Sequence, residues 1–435
     1  MLPLSNEQLA GIMARLNIST LTTATIRQIV ALTSVAEEVA GDKFLHLELG
    51  NPGLPSQQIG VDAECAALRD GIANKYPPVM GTAALKNAGS RFVKAFLDLD
   101  IPADCIVPSV GSMQGSFSLM LLLSKRDPAK DTMLYLDPGF APQHLQAKVL
   151  GLKQQSFDIY NYRGQALADK LESILAQGNI TGILYSNPNN PAWTNFTPAE
   201  LEIIGRLATK YDAIVLEDLA YMGMDFRQDF GEPFREPFIP SVANYTDNYV
   251  LLISASKIFS YAGERIALVC MSPTVAERTD PGLMPVFGMR TFADAFVFGV
   301  VYCVSSGVTH SVQCAMAAML DAAADGRINF VHECEEYHSR CARAKEIFAE
   351  AGFKLVYADD DGTPVSDGFF FTATYKDMDS ETLQRELMRH GISTISLPGT
   401  GSTMHGLRIC VSKLTDNDHF DSLRQRLNAF CYEQH

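Results

Sequence analysis

One lysine lies among residues that could hold an anion beside a reactive amine. Ser254 and Ser256 precede Lys257, and Arg265 follows it, so short hydroxyl groups and a planar guanidinium flank the ammonium group. A lysine that is partly desolvated and close to another cation has a lowered pKa and attacks carbonyl groups. This spacing predicts a nucleophilic lysine next to an anion site. The alternative is a solvated loop lysine.

The residues before this lysine predict how it is positioned. The run 249–253 is apolar and contains β-branched residues, which is typical of a buried parallel strand. Lys257 would then emerge at the carboxyl end of that strand. In open α/β sheets this edge is where ligands bind.

A second region of the sequence predicts polar residues at the same edge of the sheet. Strand 182–186 is followed by a helix over 197–210, which begins with a capping box, and then by strand 213–216. A right-handed crossover makes these two strands parallel. Asn190 and Asp218 therefore leave the sheet at the edge that carries the lysine.

The alternation of strand-like and helix-length segments predicts the fold. This alternation runs from about residue 105 to residue 275 and is typical of βαβ units. We predict an α/β fold with a mostly parallel sheet sandwiched by helices, plus a smaller α+β domain formed by the N-terminal segment and the C-terminal part. The predicted divisions are 1–55 for an N-terminal arm and part of the small domain, 56–314 for the large domain, and 315–435 for the C-terminal small domain.

The composition argues against some partners. The chain has 435 residues, 47% of them hydrophobic and 20% charged, so it can bury a large core. Its formal net charge of −15 opposes binding to nucleic acid or to an anionic membrane surface, because both need a basic face. An anionic ligand must therefore meet a local positive pocket.

The cellular location is predicted from patterns for targeting and for membrane spans. Residues 1–7 do not combine a basic region with an apolar core, and the longest apolar runs, such as 295–304, are too short to span a bilayer. Nine cysteines without paired spacings are typical of reduced thiols. We expect a cytoplasmic protein.

One cluster could bind a metal. Cys334, His338 and Cys341 would share one face of a helix, at a spacing that allows metal ligation. Charged residues surround them as on an ordinary solvated helix, and cysteine is frequently a small buried residue. We predict no metal site here.

Other residues at the sheet edge could hold a planar, phosphorylated cofactor. A carboxylate such as Asp218 keeps a heteroaromatic nitrogen protonated, which lets pyridoxal phosphate act as an electron sink. Tyr221 and the amide of Asn190 could donate hydrogen bonds to the phenolic oxygen of that ring. The glycine turn 111–115 precedes an apolar helix whose free N–H groups suit a phosphate, and Phe140 could stack on the ring. Each of these residues also has a plainer interpretation as a cap, turn or core residue.

Together these residues resemble a known family. Four features occur in the order and at the approximate spacings of the fold type I pyridoxal phosphate enzymes: Asn-Pro-Asn-Asn-Pro at 187–191, Asp218 with Tyr221, Ser-x-Ser-Lys at 254–257 with Arg265, and Arg408. The chain resembles the class I and II aminotransferases over nearly its entire length.

The resemblance implies roles for these residues. Lys257 would form an internal aldimine with pyridoxal 5'-phosphate and move a proton between the substrate Cα and the cofactor C4′. The implied catalytic residues are Lys257, Asp218 and Tyr221. The residues implied to bind the cofactor are Ser112, Met113, Phe140, Asn190, Asp218, Tyr221, Ser254, Ser256, Lys257, Arg265 and Tyr76. Those implied to bind the substrate are Arg408, Gly50 and Asn190.

The resemblance also implies a reaction and a partner. Arg408 would grip the α-carboxylate of an amino acid, and the amino group would pass to a 2-oxo acid by a ping-pong mechanism. Tyr76 would reach the phosphate of a neighbouring subunit, which implies a homodimer with shared active sites. A pyridoxal phosphate-dependent C–S β-lyase, or another α,β-eliminating enzyme, remains an alternative on the same scaffold. A ligand-sensing domain of a transcription regulator is a further alternative.

Two positions leave the substrate open. The family usually continues the Asn190-Pro191 motif with Thr-Gly, whereas Ala192 and Trp193 stand here, which places the only tryptophan near the mouth of the predicted site. Arg27 stands where some relatives have an arginine for acidic side chains, although it also reads as an ordinary residue of an amphipathic helix.

Overall fold

The computed structural model describes residues 4–434. Residues 1–3, which belong to the predicted N-terminal arm, and His435 lie outside the described residues. The largest feature is a sheet of seven strands. Their spatial order is Ile106–Ser109, Ala267–Met271, Tyr249–Ser254, Ile214–Asp218, Ile180–Ser186, Thr132–Asp137 and Lys153–Asp158.

The sheet is mostly parallel, as predicted. Its strands run in one direction except Ala267–Met271, which is antiparallel to both of its neighbours. This strand pairs with Tyr249–Ser254, the strand before the lysine, so the chain reverses direction between the two. The strands Ile214–Asp218 and Ile180–Ser186 are parallel, which confirms the predicted crossover.

Helices cover both faces of this sheet. Every residue of the strands Ile180–Ser186, Ile214–Asp218 and Tyr249–Ser254 is buried, which is why these strands read as continuous apolar runs. The α-helices of the described chain are Asn6–Arg15, Ile26–Ala40, Gln58–Arg69, Ala83–Leu97, Gly111–Arg126, Ala141–Val149, Gln165–Leu175, Pro198–Lys210, Ala255–Ile258, Pro273–Ala276, Leu283–Phe287, Phe292–Asp294, Tyr302–Ser305, His310–Ala324, Phe330–Glu333, Glu335–Glu350, Ser380–Arg389 and Asn417–Glu433. Short 3₁₀ turns occur at Ile72–Asn74, Ala103–Cys105, Ile159–Asn161, Val242–Asn244 and Pro398–Thr400, and a π-helix at Ala295–Val301.

Local signals in the sequence explain where helices begin. The predicted capping box forms before the helix Pro198–Lys210: Thr197 Oγ1 accepts from the Glu200 N–H at 3.3 Å, and Glu200 Oε2 accepts from the Thr197 N–H at 2.9 Å. Ser254 caps the short helix Ala255–Ile258 in a similar way. This cap places Lys257 one turn beyond the end of its strand.

A second, antiparallel sheet lies in the C-terminal part. Its strands are Ile395–Ser396, Leu407–Cys410, Phe370–Tyr375 and Phe353–Leu355, in that order. The last three of these strands share an apolar cluster with the helices Glu335–Glu350 and Asn417–Glu433. The N-terminal segment joins this part, since Leu45–His46 pairs in parallel with Ile392–Ser393. A hairpin of Asp359–Asp360 with Thr363–Pro364 completes the strands.

One apolar segment differs from expectation. Residues Leu283–Ser305 have the length, 23 residues, and the mean hydropathy, 1.4, of a membrane span. The expectation that the longest apolar runs, such as 295–304, are too short to span a bilayer is therefore wrong for this segment. In the most apolar stretch of 18 residues within this segment, one third of the residues are buried inside the protein. Gly288, at φ +67°, ends the first helical piece, and polar residues follow before the next. Several large apolar side chains on this segment are exposed: Met284, Val286, Phe298, Tyr302 and Val304.

Candidate active site

Lys257 reaches into a cavity at the carboxyl edge of the large sheet. Its Nζ donates a hydrogen bond to the Gly50 carbonyl oxygen and lies 5.4 Å from the centre of the Phe369 ring. Burial lowers the pKa of this amine to about 8, and repulsion from Arg265 and Arg408 acts in the same direction. The amine therefore loses its proton far more readily than an ordinary lysine.

Asp218 is the last residue of its strand and is buried in the same cavity wall. Its Oδ2 accepts a hydrogen bond of 2.9 Å from Gln143 Nε2, and its Oδ1 accepts one of 3.2 Å from the Ala220 N–H. Burial raises the pKa of Asp218 to about 6, while the two hydrogen bonds lower it. The side chain is therefore a buried carboxylate at neutral pH.

Asn190 and Tyr221 form a neutral polar pair beside these charges. Asn190 Nδ2 lies 3.4 Å from Tyr221 Oη, within reach of a hydrogen bond. The loop that carries Asn190 is held by its own backbone, whose N–H donates to Ser186 Oγ at 3.0 Å. Burial raises the pKa of Tyr221 well above the ordinary value, so the phenol remains protonated and can donate.

An anion cradle lies at the start of the helix Gly111–Arg126. The Ser112 hydroxyl is buried and has no hydrogen-bond partner in the part of the chain that the structure describes. Gly111 has φ +65°, and a Cβ there would lie 2.2 Å from Arg265 Nη2. Arg265 is itself held by the Ala262 carbonyl at 2.7 Å and lies 3.4 Å from Ser256 Oγ. Free helix N–H groups, an unsatisfied hydroxyl and a guanidinium suit a phosphate.

Arg408 brings a second guanidinium to the cavity from the antiparallel sheet. Its Nη2 donates to the Glu48 carbonyl oxygen, and its Nη1 lies 3.3 Å from Asn190 Oδ1. The guanidinium carbon lies 4.7 Å from the centre of the Phe370 ring, and within residues 4–434 its Nε has no hydrogen-bond partner. Burial lowers the pKa of Arg408. A buried cation without a direct carboxylate partner favours an anionic ligand.

The predicted site residues converge with one exception. A single cavity of about 420 Å³ is lined by Gly50, Ser112, Met113, Phe140, Asn190, Asp218, Tyr221, Ser254, Ser256, Lys257, Arg265 and Arg408. Tyr76 does not line it. The Tyr76 side chain is 92% exposed and borders a separate cleft of about 550 Å³ with His310.

The expectation for Trp193 was wrong. This residue does not lie at the mouth of the cavity but is fully buried behind its wall. Its Nε1 donates to Ser366 Oγ at 3.1 Å, and its ring packs edge-on against Tyr221 and Phe370. Trp193 therefore supports the two cavity residues and cannot contact a ligand directly.

Further residues line the cavity beside the predicted ones. Arg27 is exposed at the start of its helix, and its neighbour Ile26 lines the cavity instead. Gln143, Leu49, Asn51 and further apolar residues also line it. Leu49 and Asn51 flank the predicted Gly50, and Gln143 follows Phe140 by one helical turn.

The cluster considered for a metal does not converge. Cys334 precedes the helix Glu335–Glu350, and its Sγ lies 3.9 Å from the Lys257 carbonyl oxygen. The Cys341 Sγ faces the Phe370 carbonyl oxygen, and the His338 ring packs against Phe226. These contacts are those of ordinary packing.

Comparisons with known proteins agree with this geometry. The family model for aminotransferase class I and II matches residues 43–423. Among curated proteins, the chain is 28% identical over 201 residues to nicotianamine aminotransferase 1 of Oryza sativa subsp. japonica, covering 45% of this chain and 38% of that protein. It is 27% identical over 263 residues to nicotianamine aminotransferase A of Hordeum vulgare, covering 58% and 55%. The matches thus span less than two thirds of these relatives.

The fold comparison covers more of the chain. Aspartate aminotransferase of Thermotoga maritima superposes with a TM-score of 0.76 at 17% sequence identity, over 94% of this chain and 98% of that one. This likeness shows the fold, and the family model spans most of the sequence. The chain belongs to the class I and II aminotransferase family.

Proposed function

We propose that this protein is a pyridoxal 5'-phosphate-dependent aminotransferase that moves an amino group between an α-amino acid and a 2-oxo acid. One observation carries the proposal: a lysine of lowered pKa, a buried carboxylate, an anion cradle and a buried arginine all line one cavity. Each is a group that this reaction requires.

The residues fit the cofactor. The Ser112 hydroxyl, which has no hydrogen-bond partner within the described chain, and Arg265 would hold its phosphate, together with Met113, Ser254 and Ser256. Asp218 would pair with its ring nitrogen, and Phe140 would stack on its ring. When bound, pyridoxal phosphate supplies an electron sink for the electrons released at the substrate Cα.

The protein side chains would then orient groups and move protons. Asp218, ionised at neutral pH, would hold a proton on the ring nitrogen. Tyr221 and Asn190 would donate hydrogen bonds to the phenolic oxygen. Lys257, the residue of covalent attachment, would act as the base that takes the proton from Cα.

Arg408 would bind the α-carboxylate of the substrate. The Glu48 carbonyl and the Phe370 ring hold its guanidinium in place. A bidentate pair with the substrate carboxylate would therefore cost little side-chain entropy. Gly50 and Asn190 would line the same subsite. Such fixed contacts place the Cα–H bond next to the lysine amine.

We also propose a cytoplasmic homodimer with shared active sites. The exposed apolar side chains of the segment 283–305 support the dimer, because surfaces of this kind usually pack against another chain. The proposed occupant is a second copy, whose Tyr76 would reach the phosphate site. The division into 1–55, 56–314 and 315–435 stays a proposal, supported by the separate apolar clusters of the two sheets.

A single-turnover experiment tests the proposed reaction. The purified holoenzyme is mixed with each amino acid in turn, without a 2-oxo acid, and the cofactor absorption spectrum is followed. An aminotransferase converts its cofactor once to the amine form and returns it when a 2-oxo acid is added. Sustained release of ammonia and pyruvate would instead identify an eliminating enzyme and overturn the proposal.

A further inference from the structure

Backbone carbonyls of one short segment hold both cations that face the substrate. The Glu48 carbonyl oxygen accepts from Arg408 Nη2, and the Gly50 carbonyl oxygen accepts from Lys257 Nζ. Arg408 lies on the antiparallel sheet and Lys257 on the large sheet, so the segment 48–50 connects the two.

The Glu48 side chain pairs with His46, whose ring is partly exposed. The Glu48 side chain is fully buried, and its Oε1 lies 2.7 Å from His46 Nδ1. Its other oxygen, Oε2, is buried and has no hydrogen-bond partner among the residues described. An ionised carboxylate in such a place needs a nearby positive charge. His46 is the side chain in contact that can supply it.

The surroundings of His46 favour its charged form. Its Nε2 lies 3.4 Å from Glu37 Oε1, and the hydrogen bond to Glu48 raises the pKa of His46 against the opposing effect of burial. Other charged groups face this cluster. Lys43 pairs with Glu37, Arg426 and Asp42 lie beyond Glu37, and Arg408 with its neighbour Cys410 lies on the far side of Glu48.

We propose that His46 and Glu48 are positioning residues for the reaction, whose charges control how strongly Arg408 attracts the substrate carboxylate. This inference rests on the proposed function. While His46 is protonated, the pair is neutral and Arg408 attracts a carboxylate with its full charge. When His46 loses its proton, its positive charge is lost, and the attraction between Arg408 and a carboxylate weakens.

The protonation of His46 makes the KM for the amino donor depend on pH. His46 has a raised pKa, so its proton is present at low pH and is lost as the pH rises through that value. The KM for the amino donor should therefore rise across this interval while kcat changes little, because the contact binds ground state and transition state alike.

A mutant cycle tests the charge relationship. His46→Asn keeps a donor toward Glu48 but removes the positive charge, and should raise KM about tenfold with kcat within about twofold. Glu48→Gln removes the charge that needs compensation, and should leave KM near that of the unmutated enzyme and abolish its pH dependence. The double variant should restore the KM lost in His46→Asn. Thermal unfolding of each variant establishes that it is folded.

The control is a histidine in a similar pair far from the cavity. His419 lies 2.8 Å from Asp416 on the last helix, and His419→Asn should change neither KM nor its pH dependence. An unchanged KM in His46→Asn, or a double variant with a KM as high as His46→Asn, would overturn the inference.

A second readout does not depend on catalysis. Nuclear magnetic resonance titration of the histidines in the holoenzyme, with the His46 signal assigned by His46→Asn, should give a raised pKa that falls in Glu48→Gln. An ordinary His46 pKa would refute the pair even in an active aminotransferase. A raised His46 pKa in a protein without transaminase activity would refute the proposed function but not the pair.

Discussion

Gln143 Nε2 donates a hydrogen bond of 2.9 Å to Asp218 Oδ2, from a helix turn that begins next to Phe140. The amide thus stabilises the charged form of a carboxylate whose pKa burial has raised to about 6. Since this pKa lies just below neutral pH, the ionisation of Asp218 depends on few contacts. Gln143 is one of them.

We therefore expect Gln143→Leu to raise the pKa of Asp218 above 6 and to lower kcat/KM at pH 7 about tenfold, because a hydrogen bond to a charged group is lost. The acidic limb of the pH profile of kcat/KM should move to higher pH, and activity should recover as the pH is raised. Gln155→Leu is the control, since Gln155 bonds Gln177 on the surface. An unshifted acidic limb in Gln143→Leu would contradict this prediction.

The ionised Asp218 carboxylate should also destabilise the folded, cofactor-free protein at neutral pH. Its folded-state pKa of about 6 exceeds the ordinary 3.8, so the folded chain binds this proton more tightly than the unfolded chain. Its contribution to stability therefore falls as the pH rises from about 4 to about 6, and the loss is complete at pH 7. The difference corresponds to about 3 kcal/mol.

Asp218→Asn should accordingly raise the free energy of unfolding of the apoprotein at pH 7 by up to about 3 kcal/mol, and by much less near pH 4. The measurement is denaturant unfolding at both pH values. The same variant should lose most transaminase activity, which would show that a destabilising charge is kept for function. Equal stability changes at both pH values would contradict the argument.

Lys257 should react at an unusually low pH. Burial lowers the pKa of its amine to about 8, and only the neutral amine attacks an aldehyde. The rate at which apoprotein incorporates pyridoxal phosphate should rise with pH and reach half of its plateau near pH 8, rather than near 10.5, the ordinary value for lysine. Borohydride treatment should attach the cofactor to the peptide that contains residue 257. Lys257→Ala should lose this labelling and about 10³-fold of the turnover.

Gly111 should be required for cofactor affinity. A Cβ at this position would lie 2.2 Å from Arg265 Nη2, and the backbone has φ +65°. Gly111→Ala should therefore displace the guanidinium and weaken pyridoxal phosphate binding about 100-fold, measured by fluorescence titration of apoprotein. Gly11→Ala is the matched control, because a Cβ there meets no atom within 4 Å. Equal affinities for the two variants would argue against the proposed phosphate site.

The apolar segment should be a subunit interface. Tyr302 is 56% exposed on it, and Tyr302→Asp should raise the dimer dissociation constant at least 100-fold and reduce activity at low protein concentration. Sedimentation velocity gives the oligomeric state. Tyr432→Asp changes an even more exposed tyrosine on the last helix and should have no effect. Detergent-dependent solubility of the unmutated protein would favour a membrane contact instead.

Local sequence patterns were enough to predict the parts of the site that lie within short stretches of the chain. An apolar strand, a hydroxyl cap and a lysine one turn later form within one short stretch, so the position of Lys257 followed from residues 249–257 alone. The same holds for Asp218 at the end of its strand. Because parallel strands end at one edge of a sheet, these separate signals also predicted that the two residues lie close together.

Tertiary packing, in contrast, determines which side chains turn toward the cavity and what charge they carry there. Trp193 directly follows the loop of Asn190, yet its ring is fully buried and packs edge-on against Phe370. Glu48 meets Arg408 across 360 residues. Such contacts depend on how two sheets pack, and burial, which shifts the pKa of Lys257 and Asp218, arises only from that packing.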